Sequence, residues 1–159
     1  VKLSHKLKVL LLFFATAAIT VIIYLLWSKD TPGKFSCIAS FSQHYSSETI
    51  EISLGFMFDG GFGMASINGR SRTEPGKKFN RKVSFTTKIH GGVYFLNSQS
   101  NNKFPDDNVS DDWLSKYEPD FFVFPGKEMH IRIEKQKNKN YLFMVSTLPT
   151  YICNNVVYN

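Results

Sequence analysis

The histidines, carboxylates and cysteines of this 159-residue chain are the side chains whose chemistry could matter. His44, His90 and His130 belong to the one residue type that titrates near neutral pH when unperturbed, so a domain holding them could respond to acid. Histidines of this kind are also ordinary surface residues, and both readings stand. His130, flanked on its strand face by Arg132 and Glu134, is the one to mutate first. Asp106, Asp107, Asp111 and Asp112 crowd a short stretch, but they lack the spacing and turn glycine of a calcium loop. A solvated helix N-terminus is the simpler expectation for them. Ser, His and Asp occur without a nucleophile elbow or an HExxH pair. No catalytic residue, metal ligand or cofactor is therefore assigned, and the expectation is a protein that is not an enzyme.

Cys37 and Cys153 are the two cysteines. In an oxidising compartment an even pair reads as a disulfide, here tying the first element of the fold to the last. A redox switch is the alternative, without a CxxC motif to favour it. Arg70, Arg72, Lys77, Lys78, Arg81 and Lys82 surround a turn. They read as a soluble hairpin tip, or as a docking surface for an acidic partner or anionic ligand. The basic run from Arg132 to Lys139 allows the same two readings. Phe56, Phe58, Phe79, Phe85, Phe95, Tyr141 and Phe143 fall on strand faces. They form either a core or a chamber for a lipid or steroid-like ligand.

The element that places all of this is the uncharged apolar run from Val9 to Trp27. At 1.5 Å per residue its length is about 29 Å, the thickness of a bilayer's hydrocarbon core. Lys2, Lys6 and Lys8 precede it, so the positive-inside bias puts the N-terminus in the cytoplasm and the rest outside. The organisation expected is a cytoplasmic tail over residues 1–8, a transmembrane helix over 9–27 and a periplasmic domain over 28–159, in a bacterial inner membrane. The rival is a signal peptide cleaved near Ala15-Thr16-Ala17, but the run continues ten residues past that point.

Residues 28–159 suffice for one compact domain. The formal charge is +6, but sixteen of the nineteen Lys and Arg lie beyond the run together with all thirteen acids, which leaves +3 there. That balance, on an outward-facing domain, argues against direct nucleic-acid binding. The chain is 15% aromatic with fifteen Phe, which calls for a large apolar interior.

Strands dominate the domain. Ile50, Ile52, Leu54, Phe56 and Phe58 alternate with Glu51, Ser53, Gly55 and Met57. Asp59-Gly60-Gly61 turns the chain, Phe62 to Arg72 returns, and Glu74-Pro75-Gly76 turns it again. Phe79, Val83, Phe85 and Ile89 share a face with Arg81 and Thr87. Gly91-Gly92 ends that strand and Val93 to Asn97 begins another. Ser98 to Asp112 reads as a loop into a short helix capped by Ser110, with Trp113, Leu114 and Tyr117 packing inward. Phe121 to Phe124 reads as a buried strand. Met129, Ile131 and Ile133 alternate with charged residues, and Tyr141 to Thr147 returns. The fold class is mainly β (α+β), with seven or eight mostly antiparallel strands and one or two short helices. A curled sheet or an incomplete, lipocalin-like barrel would bury so many Phe.

The basic start SHKLKVLLLFFA, the single anchor, the strand-rich domain and the late Pro149-Thr150-Tyr151-Ile152-Cys153 resemble the FidL-like family of small inner-membrane proteins, nearest the PsaF/MyfF group. In layout the chain is similar to ToxS and VtrC as well. The resemblance implies an accessory and sensor subunit that binds and stabilises the periplasmic domain of a ToxR-like membrane-bound transcription activator, in control of virulence or fimbrial genes. It also brings in a small apolar ligand such as a bile salt, through the VtrC branch. The partners expected are thus the activator, the inner membrane and that ligand. A bitopic assembly factor of a fimbrial or secretion apparatus is the alternative.

Overall fold

The computed structural model describes residues 5–29, 33–145 and 148–156. The chain forms two compact units, residues 1–31 and 32–159. The first is a helix, α1, His5–Lys29. Its segment Lys6–Leu26 has a mean hydropathy of 2.7 and is long and apolar enough to cross a membrane, a test that a signal sequence also passes. Thr16 and Thr20 satisfy their hydroxyls inside the helix, donating to Phe13 O (2.9 Å) and Ala17 O (2.8 Å). This is what an apolar solvent demands of a polar side chain.

The second unit contains eight strands: β1 Lys34–His44, β2 Thr49–Asp59, β3 Phe62–Ser71, β4 Lys78–His90, β5 Val93–Lys103, β6 Glu128–Lys135, β7 Tyr141–Val145 and β8 Leu148–Asn155. Each pairs antiparallel with its sequence neighbour, and β8 returns to β1, closing a barrel. The expectation of a curled sheet or incomplete barrel is corrected here. Eight strands make a barrel whose interior side chains can just fill it. The closing ladder is short, with Cys37 opposite Asn155 and Ile38 opposite Asn154. The Cys37–Cys153 disulfide, with Cα atoms 5.3 Å apart, spans the same seam. Along the eleven residues of β1 the described ladder to β8 registers these two pairs alone.

Period-two alternation sets the inner face. In β2 every inward residue from Ile50 to Phe58 is buried. In β4, Phe79, Arg81, Val83, Phe85 and Thr87 are buried, as their spacing predicts. Two inward positions of β3 are glycines, each opposite a phenylalanine of β4: Gly63 with Phe85 and Gly69 with Phe79. A Cβ at either glycine would stand about 2.5 Å from the facing ring, so the missing side chains are what let those rings lie against the wall.

Two other expectations are corrected, and β1 is a strand with little apolar signal in sequence, since its inner face includes Cys37 and Ala39 and half of its outer face is serine. β5 runs on to Lys103 through residues expected to be loop. Its polar stretch is held by pairing with β4 out to Arg81 opposite Lys103. Phe121 to Phe124 is no strand. Asp120–Phe122 is a 3-10 turn inside the connection between β5 and β6. That connection also holds α2, Asp111–Leu114, capped by Ser110 as expected. It plugs the barrel: Leu114, Phe121, Phe122 and Val123 are all buried, with Phe121 against Phe85 (5.8 Å) and Phe122 against Phe56 (6.3 Å).

Candidate interaction surface and buried ionic groups

The interior is filled by rings. Tyr141 stacks on Phe35 (4.1 Å), Phe35 on Phe58 (4.6 Å), Phe56 on Phe143 (5.1 Å), Phe143 on Tyr151 (5.1 Å) and Tyr151 on Phe41 (5.3 Å). Phe56, Phe58, Phe79, Phe85, Tyr141 and Phe143 are thus core residues packed on one another and on the plug. Phe95 does not join them. It faces outward, 37% exposed, with its ring 4.5 Å from that of His130.

The three histidines are not brought together. His44 ends β1 at one end of the barrel, His90 ends β4 at the other, and His130 lies on the outer wall of β6. All three are exposed. His44 Nδ1 is 3.1 Å from Thr49 Oγ1, and His130 Nε2 is 3.4 Å from Glu128.

Two buried ionic features take their place. Arg81 points into the barrel and is 2% exposed. Its Nε donates to Asp107 Oδ2 at 2.9 Å and its Nη1 to Asp111 Oδ1 at 2.6 Å, while Nη2 has no partner. Asp107 is itself buried and also accepts from the backbone N–H groups of Asn80 (3.1 Å) and Val109 (3.3 Å). The acidic cluster is therefore only partly the solvated helix start expected of it, since Asp107 clamps the plug to β4. Arg81 likewise leaves the exposed basic set. Arg70 and Arg72 both pair with Glu51, and Lys77 pairs with Glu74. Among the described residues no cluster of His, Cys, Asp or Glu could hold a metal ion.

Glu118 is the second feature. It follows α2, is 5% exposed, and its Oε1 has no hydrogen-bond partner. Burial pushes its carboxyl up to about 8. Tyr45 and Tyr151 feel its charge. Tyr45 is pushed up to about 12, first by burial and then by Glu118, and Tyr151 is raised for the same two reasons. The Tyr45 hydroxyl lies 2.6 Å from Tyr117 O, fixing the β1–β2 turn to the plug. The sequence gives one weak sign of this acid: it stands alone between Tyr117 and Pro119 in an aromatic segment.

Two cavities lie on the outer wall of β1 to β4. One, of about 700 Å³, has a floor of short polar residues in register across four strands, Ser40, Ser53, Asn68 and Asn80, beside Glu51 and Arg70. The other, of about 300 Å³, is bordered by Ile38, Met57, Met64, Phe104 and Val156, with Gly55 on its floor. Ile38, Met57 and Phe104 are each about 40% exposed. The polar floor and the apolar groove are adjacent strips of one wall.

With this wall and this barrel defined, residues 34–153 match a family model described as the YqeJ C-terminal domain. The chain belongs to the YqeJ C-terminal domain family. The YqeJ C-terminal domain match opens on the first residue of β1 and closes on Cys153, so it takes in both halves of the disulfide and excludes α1. None of the curated proteins matches the chain.

Proposed function

We propose that this protein is an accessory and sensor subunit, anchored in a bacterial inner membrane by α1, whose barrel faces the periplasm. There it grips and stabilises the periplasmic domain of a ToxR-like membrane-bound transcription activator, and so helps control virulence or fimbrial genes. The observation that carries the reading is the groove edged by Ile38, Met57, Met64 and Phe104 on the outer wall. Apolar side chains gathered beside a polar strip suit a protein partner, because apolar centre and polar rim are how such interfaces are built. The likeness in layout to the FidL-like and PsaF/MyfF proteins supports the kind of partner. A shared membrane raises the effective concentration of the two chains. The core packing gives no support to a bile-salt chamber inside the barrel, so the signal sensed is read as acid rather than an apolar ligand.

The test is co-purification of the full-length chain with a membrane-bound activator encoded beside its gene, together with the activator's level in a deletion strain. Recovery of the pair and loss of activator on deletion are expected. Isolation with fimbrial or secretion subunits, and unchanged transcription on deletion, would instead make it an assembly factor.

A further inference from the structure

The barrel is polarised along its axis. At the end where β1 begins lie the β2–β3, β4–β5 and β6–β7 turns. Lys34, Lys88, Arg132, Lys135, Lys137 and Lys139 stand there against Asp59 and Glu134, a net +4. All six cations are exposed. Among the described residues, one of them is ion-paired, Lys34 with Asp59 at 2.6 Å. The rest of the barrel carries no such excess: of the +3 beyond the apolar run, this end alone accounts for more than the whole. Arg70, Arg72 and Arg81 at the other end are each matched to a carboxylate.

Two details sharpen the picture. Phe62, at the β2–β3 turn of this end, is 69% exposed, the most exposed phenylalanine of the barrel. Lys139 holds a left-handed backbone, φ 69°, in a tight turn closed by Gln136 and Asn140. That position suits Gly or Asn, so the turn presents a charge where an uncharged residue would be easier. The chain also enters the barrel at this end, at Lys34.

We propose that this end of the barrel is a docking surface for anionic phospholipid headgroups, with Phe62 seated at the headgroup level and the Lys135–Lys139 turn supplying the attraction. Clustered lysines close to a bilayer are drawn to anionic lipid within a Debye length, and an aromatic ring is at home in the interfacial layer. The consequence is orientation. The barrel would stand on the membrane by its basic end, and the wall bearing Ile38, Met57 and Met64 would face sideways, along the plane in which another anchored chain diffuses.

The test uses the full-length chain in vesicles. Cys37 and Cys153 are consumed by their disulfide, so a spin label attaches at Phe62→Cys or, at the opposite end, at Gly76→Cys, where a side chain meets nothing within 4 Å. Collision rates with oxygen and with a water-soluble nickel chelate report lipid against water. In phosphatidylcholine containing phosphatidylglycerol, the oxygen-to-nickel ratio at position 62 should exceed that at position 76 severalfold. The excess should be lost in phosphatidylcholine alone and in a Lys135→Gln, Lys137→Gln, Lys139→Gln variant. Equal, water-like ratios at both positions in the anionic vesicles would overturn the proposal. So would lipid contact at position 62 that persists in neutral vesicles or in the triple variant.

Discussion

Cys37 of β1 and Cys153 of β8 are bonded across the seam where the barrel closes, and among the described residues that seam is the shortest backbone ladder in the sheet, with two registered residue pairs. Every other neighbouring pair of strands has at least four. The covalent bond therefore sits where hydrogen bonding is thinnest. With a sequence separation of 116, the chain-entropy estimate for such a crosslink is ~4–5 kcal/mol.

Replacing both cysteines by alanine should accordingly lower the unfolding free energy by an amount of that order. Amide exchange should accelerate first at Ile38 and Asn154, before the β2–β4 wall is affected. Denaturant unfolding of the full chain in detergent, oxidised and reduced, measures the first effect. Residue-resolved exchange measures the second. Superimposable curves with and without reductant would mean that ring packing alone holds the seam.

The Arg81–Asp107 pair makes a contrasting case. Asp107→Ala strands a guanidinium that is 2% exposed and releases the plug from β4, which should cost about 3–5 kcal/mol. Arg81→Met leaves Asp107 buried but still held by the Asn80 and Val109 N–H groups and by Lys103 at 3.4 Å, so it should cost less than Asp107→Ala. Asp111→Asn should be the mildest, since the Asp111 side chain is about half exposed. Thermal unfolding of the three variants at one pH orders them. Equal losses would show that the clamp acts through packing and not through charge.

Much of this barrel was legible beforehand, for identifiable reasons. β2 and the first half of β4 alternate strictly and bury what their spacing says they bury. Gly60, Gly91 and Gly92 at the turns adopt the positive φ that glycine permits. Ser110 caps α2 because an acceptor at that position satisfies the Trp113 N–H, at 3.1 Å. What stayed hidden was non-local. Closure depends on the pairing of β1, whose small and hydroxyl-bearing residues carry little apolar signal, with a strand more than a hundred residues away. Phe121-Phe122 look like strand in isolation and become a plug only because a barrel end needs filling. Arg81 is masked in sequence by its basic neighbours, and the burial of Glu118 depends on how the plug packs, whereas the exposed histidines stand out through their chemistry alone.

The outer wall offers a prediction about binding that is separable from folding. Met57 and Met64 face each other across β2 and β3 on the groove. Met57→Glu, at a position 40% exposed, should leave stability within about 0.5 kcal/mol, the usual range for exposed positions. The same charge should abolish recovery of the partner. Substitution of Asn68 on the polar strip should leave recovery intact. Loss of the partner with a well-folded barrel is the expected result, and full retention would move the contact to another face.

Glu118 sets the pH dependence. Its carboxyl is raised from 4.5 to about 8 by burial, so between those values the folded protein holds a proton that the unfolded chain has released. Stability is then fully present below about pH 4.5 and falls as pH rises toward 8, by at most ~1.4 kcal/mol per pH unit from this group. Above 8 the charged carboxylate sits in the plug beside Tyr45 and Tyr151, and no further loss accrues from it. Glu118→Gln should remove this slope, leaving the variant more stable than the native chain in alkali and similar to it in acid. Unfolding temperatures from pH 5 to pH 9 at constant salt would show the two curves converging at the acid end. If they ran parallel instead, the pH response would have to be sought at the exposed histidines, where His44→Asn, His90→Asn and His130→Asn would be the next variants to measure.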